Sequence, residues 1–414
     1  MARILVVGGS LGGLMAGNLL LRAGHDVTVL ERSPRSLEGR GAGIVTHDTL
    51  RAALRGCGLA ADGTLGVAVA SRVLLAADGS TQATWAHPQI LTSWGRLYAL
   101  LRAALPPEHH RLGAQVQSVA QHAHGASVQL AGGETLHADL VVAADGIRSG
   151  LRAQLAPAVQ PQYAGYVAWR GVCDEAALSR HTRQTLFEHF GFGLPDGEQM
   201  IGYPVAGSGD STAPGARRWN FVWYRPAAAG AELQALLTDA DGVHHPDGIA
   251  PQQVAWRCIA DVRQAARAKL APQFAEVLEK TAVPFLQPIY DLESPQLAFG
   301  RVALLGDAAF VARPHVGMGV SKAGDDAVAL VAAIAAHGAT PAALQAYAAE
   351  RLPPGRAVVA RARRLGRYIA AQQPGRTRPR SAAEQLQVVH ETAIEASGVD
   401  LALEAEAVVP SGNS

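Results

Sequence analysis

Short, continuous apolar runs recur along the chain and alternate with longer segments of helical length. Residues 4–7, 27–30, 140–143 and 301–305 are runs of this kind. Such runs predict strands that are buried on both faces of a parallel sheet. Residues 14–21 lie between the first two runs and have the length and composition of a helix. The chain therefore opens with a predicted β-α-β unit.

The turn after the first predicted strand is rich in glycine. Gly8, Gly9, Gly12 and Gly13 lie between the strand and the helix. A turn of this kind lets the backbone approach a pyrophosphate at the N-terminus of the helix. Ser10 stands at the second glycine position of the dinucleotide-binding fingerprint and is small enough to leave this approach open.

An acidic residue ends the second predicted strand. Glu31 lies where a carboxylate would hydrogen-bond the ribose hydroxyls of an adenosine. Leu11 and Arg32 are neighbours of these features and are included in the predicted nucleotide site. The alternative is a β-α-β unit that binds nothing.

The rest of the pattern predicts further helices, paired strands and one aromatic region. Helices are predicted near residues 48–55, 96–105, 254–278 and 322–336, then on to about 371, and near 383–396. A hairpin is predicted for residues 73–85, and a β-meander for residues 116–136. Strand-like alternation dominates residues 163–224, where tyrosine and tryptophan concentrate, and residues 372–380 predict a linker.

This order of elements predicts an α/β protein with two lobes and C-terminal helices. A discontinuous Rossmann-like lobe is expected from residues 1–72, 96–160 and 288–370. A β-sheet-rich lobe is expected from residues 73–95 and 161–287. Residues 371–414 are expected to form the linker and a last helix. A ligand is expected between the lobes.

Composition narrows the classes of function. The 36 Lys and Arg residues nearly balance the 35 Asp and Glu residues, so the basic excess expected of a nucleic-acid-binding protein is missing. No apolar run approaches the roughly 20 residues that cross a bilayer. Cys57, Cys173 and Cys258 are too few and too widely spaced for a metal set or a disulfide framework. We expect a cytoplasmic protein without a metal, and a homodimer is one possible assembly.

Two further fragments place an aspartate and a glycine directly after a buried strand. Asp145-Gly146 follows the run at residues 140–143, and Gly306-Asp307 follows the run at residues 301–305. A loop then leads to the N-terminus of the next predicted helix, whose free N–H groups suit an anion. This loop contains Pro314, Gly317 and Gly319.

With the glycine-rich turn, these fragments resemble the single-component FAD-dependent aromatic hydroxylases, the family that includes para-hydroxybenzoate hydroxylase. The resemblance covers about residues 1–370. Residues 163–172 (YAGYVAWRGV), 220–224 (NFVWY) and 313–315 (RPH) resemble the branch that hydroxylates dihydroxypyridines. Phe310 and Ser321 stand where the family often has histidine and asparagine, which points to a subfamily.

The resemblance implies an enzyme that binds FAD in the discontinuous lobe and a small aromatic substrate in the β-rich lobe. NADH or NADPH would reduce the FAD, and O2 would add to it as a C4a-hydroperoxide. This species would hydroxylate an electron-rich aromatic or N-heteroaromatic ring, with a dihydroxypyridine-type substrate expected. The protein must keep water away from the reacting groups.

The resemblance also assigns roles to residues of the three fragments. Asp145 and Gly146 would form the motif associated with FAD and nicotinamide-nucleotide binding, and Asp307 would hydrogen-bond the ribityl chain. Pro314 would lie beside the reactive face of the isoalloxazine ring. The remaining cofactor contacts would come from the backbone of Gly317, Gly319 and Val320, from the loop with Arg40, Gly43 and Ile44, and from the helix that begins at Arg96.

Two histidines are candidate catalytic groups, together with Pro314. His315 could accept a proton from a phenolic or pyridinol substrate, or it could bond a nearby carbonyl. His47 is the second candidate, with a surface or structural histidine as its alternative.

Four residues of the aromatic region are candidate substrate contacts. Tyr203, Trp223 and Tyr224 could line an aromatic cavity, or they could belong to the core. Arg170 could pair with a substrate anion, or it could form a salt bridge between the lobes.

Other functions fit the same fragments. One is a hydroxylase of another phenol or N-heteroaromatic acid. Another is a flavoprotein reductase or dehydrogenase that oxidises a nicotinamide without inserting oxygen. A flavin-binding regulatory protein without turnover is the third. The sequence does not separate NADH from NADPH, because only one phosphate-binding β-α-β unit is visible.

Overall fold

The computed structural model describes residues 1–37, 43–369 and 380–395. In chain order, its strands are β1 (Arg3–Val7), β2 (Asp26–Glu31), β3 (Gly43–Val45), β4 (Val67–Leu75), β5 (Thr81–Ser93), β6 (His110–Leu112), β7 (Val116–His122), β8 (Gly125–Leu130), β9 (Thr135–Ala138), β10 (Leu140–Ala143), β11 (Gln162–Asp174), β12 (His189–Gly193), β13 (Gln199–Val205), β14 (Arg218–Pro226), β15 (Phe285–Glu293), β16 (Ala298–Phe299), β17 (Val302–Leu304) and β18 (Phe310–Val311). Its α-helices are α1 (Leu11–Arg22), α2 (Asp48–Gly56), α3 (Trp94–Ala104), α4 (Gly150–Leu155), α5 (Arg180–Leu186), α6 (Ala231–Leu236), α7 (Trp256–Lys269), α8 (Pro272–Lys280), α9 (Gly319–His337), α10 (Pro341–Gly366) and α11 (Ala382–Glu391).

The short apolar runs form the centre of a largely parallel sheet. Within the described residues its strand order is β16-β17-β10-β1-β2-β6. Strand β1 pairs in parallel with β2 and β10, and β10 pairs in parallel with β17. Helices α1 and α9 pack against each other. The α/β fold class and the opening β-α-β unit are therefore confirmed.

A second sheet holds the aromatic region. Its strand order, in the part of the chain that the structure describes, is β18-β15-β11-β14-β13-β12-β4-β5-β3. Side chains alternate between its two faces along each strand. On β14, Trp219, Phe221 and Trp223 belong to the core that α7 and α8 cover. Val222 and Tyr224 lie on the opposite face, which we call the pocket face.

The smaller predicted elements are present with modest changes at their ends. The hairpin is β4 and β5, and the meander is β7, β8 and β9. The helical segment at residues 254–278 is two helices, because Pro272 begins α8 at its first turn. Helix α3 begins at Trp94 rather than Arg96, since the Ser93 hydroxyl caps it by accepting from the Arg96 N–H.

Two of the expected lobe boundaries fall inside strands. The boundary between residues 72 and 73 lies within β4, and the boundary between residues 287 and 288 lies within β15. Both strands hydrogen-bond along their length in the nine-stranded sheet, so neither can be divided between lobes. These two boundaries need correction, as does the boundary between residues 95 and 96, which lies within α3. The rest of the division into lobes stays a prediction.

The last described helix packs on the pocket face. Helix α11 is shorter than expected, and Ser381 and Glu384 form a capping box at its N-terminus. Val389 of α11 is fully buried in the pocket-face core. The linker expected before it lies almost wholly outside the described residues. No helix in the described ranges is both long and apolar enough to cross a membrane.

Candidate active site

The glycine-rich turn and the two fragments at Asp145-Gly146 and Gly306-Asp307 meet at one edge of the parallel sheet. Val7 of β1 is in register with Ala143 of β10, and Ala143 is in register with Leu304 of β17. The Leu305 N–H donates to the Ala143 carbonyl at 2.9 Å, and the Ala144 N–H donates to the Val7 carbonyl at 2.8 Å. The carboxyl ends of these parallel strands therefore bring the glycine-rich turn, Asp145-Gly146 and Gly306-Asp307 together.

The glycine-rich turn is packed too closely for side chains. Gly8 has a φ of 113°, and a Cβ there would lie 2.3 Å from the Ala144 carbonyl oxygen. A Cβ on Gly13 would lie 1.8 Å from the Gly8 carbonyl oxygen. The start of α1 is thus drawn against the turn, as a phosphate-binding loop requires.

Two helix N-termini lie side by side beyond this edge. Ser10 occupies the N-cap position of α1, and Met318 occupies that of α9. Neither side chain accepts a hydrogen bond from its helix. A Cβ on Gly12 would lie 3.3 Å from the Cβ of Ala323, so the first turns of the two helices are in contact. Their uncapped N–H groups form a cradle that suits a pyrophosphate and the electron-rich end of a flavin.

Glu31 lies beside the first turn of this cradle. Its carboxylate accepts hydrogen bonds from the Gly9 N–H at 2.9 Å and from the Ser33 N–H at 2.8 Å. A carboxylate has further lone pairs, so Glu31 can also accept from ribose hydroxyls. Leu11 is buried at the start of α1, and Arg32 is exposed.

His110 is a candidate cofactor contact that the sequence analysis missed. It lies on β6, which pairs with the end of β2, and its Nε2 is 2.8 Å from the position of a Cβ on Gly9. Both of its ring nitrogens are buried without a hydrogen-bond partner among the described residues. No local pattern marks His110, because only the pairing of β6 with β2 brings it to Glu31.

The two aspartates flank the cradle. Asp307 is exposed, and its carboxylate can therefore meet a ligand. Asp145 accepts a 3.4 Å hydrogen bond from the Leu151 N–H, and its other oxygen is buried without a partner in the described part of the chain. Burial raises the pKa of Asp145 above its ordinary value. Gly146 follows with a φ of 82°.

The Arg96 guanidinium already has protein partners in this structure. Its guanidinium donates to the Thr64 carbonyl at 2.7 Å and pairs with Asp210 at 2.7 Å. Its Nε is buried without a partner in the described ranges. A contact with a flavin phosphate would use this atom or break the pair with Asp210, so the role of Arg96 stays a prediction.

These residues fit FAD as a group. The uncapped helix N-termini suit its phosphates, and Glu31 with His110 suits its adenosine. Asp307 is an exposed carboxylate where the ribityl hydroxyls are expected. The glycine-rich turn leaves room for the backbone to approach the pyrophosphate.

The loop after Asp307 carries His315 into the protein. Pro314–Val316 form one turn of 3₁₀ helix, and Gly317 follows in the left-handed conformation with a φ of 65°. His315 is fully buried, whereas Gly319 is exposed and Val320 is half-buried. The loop therefore presents its glycine end outward and its histidine inward.

His315 has a protein partner on both ring nitrogens. Arg313 hydrogen-bonds the Tyr166 oxygen and can only donate. The Tyr166 hydroxyl proton is therefore directed to His315 Nε2 at 2.8 Å. The neutral imidazole then carries its proton on Nδ1, which donates to the Gln199 side-chain oxygen at 2.9 Å.

This arrangement does not favour His315 as a base in this state. Burial, and after it the Arg313 and Arg380 cations, lower the pKa of His315 to about 3. Its ring lies 4.1 Å from the ring of Tyr224, measured between centroids. His315 thus lies at the pocket face, and its ring nitrogens bind a phenol and an amide rather than the carbonyl considered from sequence.

His47 joins three segments of the chain. It is the N-cap residue of α2. Its Nδ1 is 3.0 Å from the Ser321 hydroxyl, and its Nε2 is 3.5 Å from the Ala393 carbonyl. Burial lowers the pKa of His47 below its ordinary value. The contacts with Ser321 and Ala393 favour the structural interpretation of this histidine.

The loop before β3 reaches the second sheet. Arg40 lies outside the described residues, but Gly43 and Ile44 are described as part of β3. The Gly43 N–H donates to the Asn220 side-chain oxygen at 2.9 Å. A Cβ on Gly43 would lie 2.7 Å from the Tyr203 hydroxyl oxygen, so only glycine fits here.

The structure brings three of the four candidate substrate residues together. Arg170 and Tyr224 occupy the pocket face of β11 and β14, and Tyr203 occupies the same face of β13. Trp223 does not join them. Its side chain lies on the opposite face of the sheet, in the core under α7 and α8. The prediction that Trp223 lines the pocket is therefore wrong.

Comparison with known proteins shows to which family the chain belongs. A family model described as FAD binding domain-like matches residues 163–291. Aurachin C monooxygenase/isomerase of Stigmatella aurantiaca is 31% identical over 377 residues, which cover 88% of each chain. The chain belongs to the FAD-dependent aromatic monooxygenases, and FAD is its cofactor.

Within that class, the chain is similar to 2,6-dihydroxypyridine hydroxylases in both sequence and structure. 2,6-Dihydroxypyridine 3-monooxygenase of Paenarthrobacter nicotinovorans is 30% identical over 370 residues, covering 88% of this chain and 90% of that protein. The structure of 2,6-dihydroxypyridine-3-hydroxylase from Arthrobacter nicotinovorans superposes with a TM-score of 0.84 at 29% identity. That match covers 92% of this chain and 96% of the other.

We expect Gly13→Ala to weaken FAD binding. The new Cβ would meet the Gly8 carbonyl oxygen, so the turn must open and the affinity should fall by about tenfold or more. Titration of the apoprotein with FAD, followed by flavin fluorescence, measures this change. Gly132→Ala is the control, because a Cβ there meets nothing within 4 Å. Equal FAD affinity in the two variants would contradict the assignment.

Acidification should destabilise the protein through His315. Its folded pKa of about 3 lies below the ordinary value of 6.5, so below pH 6.5 only the unfolded state gains this proton. The free energy of unfolding should therefore fall with falling pH, by at most about 1.4 kcal/mol per pH unit from this group. Urea unfolding between pH 4.5 and 7.5 should show a shallower slope for His315→Gln. Identical slopes would show that His315 titrates normally.

Proposed function

We propose that this enzyme hydroxylates an electron-rich N-heteroaromatic ring of the dihydroxypyridine type, with electrons from NADH or NADPH. The observation that carries the proposal is a group of unpaired donors on the pocket face. Arg170 Nε, the Tyr224 hydroxyl and Asn220 Nδ2 are buried without a hydrogen-bond partner among the described residues. Buried donors of this kind cost free energy unless a ligand satisfies them.

The donors suit a small ring with anionic oxygen substituents. Arg170 pairs with Val222 across β11 and β14, and Tyr224 pairs with Ala168. The cation and the phenol therefore belong to neighbouring cross-strand pairs on the same face of the sheet. Arg170 makes no ion pair in the described part of the chain, contrary to the salt bridge considered from sequence. Its charge would favour the ionised substrate, whose ring is richer in electrons and reacts more readily.

The tyrosines of the pocket face would act as neutral donors. Burial raises the pKa of Tyr203 and of Tyr224 above the ordinary value, and the Arg170 cation offsets this only in part. Each phenol can therefore donate to a substrate oxygen at neutral pH. Phe190 lies beside Tyr203, with 4.8 Å between ring centroids, and adds an apolar wall against water.

When bound, FAD takes electrons from the nicotinamide and activates O2 for hydroxyl transfer. The residues of this chain would orient the ring, hold it in its ionised form and exclude water. Pro314 is half-buried beside His315 and is proposed to face the reactive side of the cofactor. His315 would act by fixing Tyr166 and Gln199 rather than by taking a proton.

Oxygen uptake and NADH oxidation by the purified flavoprotein test the proposal directly. Addition of 2,6-dihydroxypyridine should raise both rates in parallel, with one hydroxylated product per NADH. Hydrogen peroxide without product would keep the family but move the substrate to another ring. NADH oxidation without oxygen consumption would support the reductase alternative.

Arg170→Met should raise KM for an anionic substrate by about tenfold, because a hydrogen bond to a charged group is lost. The change in kcat should be smaller if the rate-limiting step does not depend on the ring charge. Steady-state oxygen consumption measures both constants. Arg218→Met is the control, since Arg218 lies on the same sheet and donates to the Ala206 carbonyl. An unchanged KM in Arg170→Met would remove Arg170 from the pocket.

A second ring class remains a candidate. The aurachin C enzyme is 31% identical to this chain and the dihydroxypyridine enzyme is 30% identical, each over 88% of this chain. Overall identity therefore does not select the ring, and another N-heteroaromatic acid or phenol fits the same donors. The homodimer and the cytoplasmic location stay predictions.

A further inference from the structure

The C-terminal end of the described chain is built into the pocket face. We call residues 380–395 the C-terminal strap. Arg380 anchors its start by donating to the carbonyls of Pro195 and Glu198 at 3.2 and 3.0 Å. Helix α11 then crosses the pocket face, and a turn at residues 392–395 follows it.

A buried cation of the sheet holds this strap. Arg72 of β4 is 2% exposed. It donates to the carbonyls of Val389 at 2.5 Å, Thr392 at 2.7 Å and Ala393 at 3.4 Å. Within the described residues its other hydrogen-bond partner is the neutral side chain of Gln89. These carbonyls satisfy a guanidinium that would be costly to bury without acceptors.

The turn contacts the loop that carries His315. The Ala393 N–H donates to the His315 carbonyl at 2.8 Å. A Cβ on Gly317 would lie 2.9 Å from Ala393, so the two backbones are in close contact. The Ala393 carbonyl also lies near His47 Nε2. Ala393 of the strap therefore contacts both the 314–319 loop and His47, the N-cap residue of α2.

The turn also ends the buried hydrogen-bond chain of the site. Gln199 donates to the Thr392 hydroxyl at 3.1 Å while its oxygen accepts from His315. Thr392 is therefore the last acceptor in a chain that runs from Arg313 through Tyr166, His315 and Gln199.

The Glu395 carboxylate binds the end of the turn to α2. Glu395 accepts from the N–H groups of Asp48 and Thr49 at 2.8 and 3.0 Å. These are the first residues of α2, so the carboxylate caps this helix and interacts favourably with its dipole. The strap is thus fastened at both ends.

The backbone of the turn is strained. Ala393 has a φ of 54°, a left-handed conformation that residues with a side chain rarely adopt. Its surroundings must over-determine this conformation, and strain of this kind concentrates at functional sites. The hydrogen bond to His315 and the contact with Gly317 supply that constraint.

We infer that the turn at residues 392–395 is a wall of the substrate pocket and that Thr392 and Glu395 are positioning residues. The turn holds the 314–319 loop in place and keeps water from the isoalloxazine ring. This inference rests on the proposed function. Beyond the proposed function, the inference is that the C-terminal strap determines how tightly NADH oxidation is coupled to hydroxylation.

Thr392→Val and Glu395→Ala test the inference, singly and combined. Each removes a hydrogen bond of the turn, so the share of NADH consumed as hydrogen peroxide in the presence of 2,6-dihydroxypyridine should rise about threefold or more. Iodide quenching of the bound flavin fluorescence should rise as well, with FAD stoichiometry unchanged. Thr392→Ser should restore wild-type values, because it keeps the acceptor.

Gln387→Ala is the matched control. Gln387 is exposed on the same helix, and its side-chain amide donates to the side chain of Glu391. Unchanged peroxide share and quenching in the double variant would overturn the inference, and so would an equal rise in Gln387→Ala. If the wild type hydroxylates no ring tested, the proposed function fails. The quenching result still decides the role of the strap, because it requires only bound FAD.

Discussion

Arginine can donate hydrogen bonds but cannot accept them, and at Arg313 this constraint orders the interior of the site. Asp291 holds the guanidinium with a 2.7 Å ion pair, and the guanidinium in turn directs the Tyr166 proton to His315. The tautomer of a buried imidazole is thereby set by a residue that does not touch it. Because both partners of Arg313 are buried, this series of hydrogen bonds can be broken only by leaving a buried polar group unsatisfied.

The phosphate-binding part of the cofactor site depends on backbone rather than on side chains. The close approach of Gly8 and Gly13 and the contact between α1 and α9 create a surface of N–H groups. Such a surface recognises phosphate without a charged side chain. The substrate side has the opposite character, since Arg170 and Tyr224 offer side-chain donors from a rigid sheet.

Much of this fold is predictable from local sequence, and the reasons are physical. Buried parallel strands read as continuous apolar runs, and a phosphate loop requires glycine where backbone packs against backbone, as at Gly8 and Gly13, so the α/β lobe and its cofactor edge follow from the sequence. Trp223 shows the limit. Neighbouring residues of a strand face opposite sides, and composition alone did not show which side of the sheet faces the ligand. His110 and Thr392 required pairing and packing across long sequence separations.

The alternation on β14 has an evolutionary consequence. Positions of one parity meet the ligand, and positions of the other parity support the core under α7 and α8. Substitutions at residues 220, 222 and 224 can therefore reshape recognition while the supporting tryptophans stay unchanged. A single inserted residue within the strand would instead exchange the two sets, placing an indole where a phenol now stands. Descendants of this scaffold should thus diversify their ligands by replacement within the strand and confine changes of length to its ends.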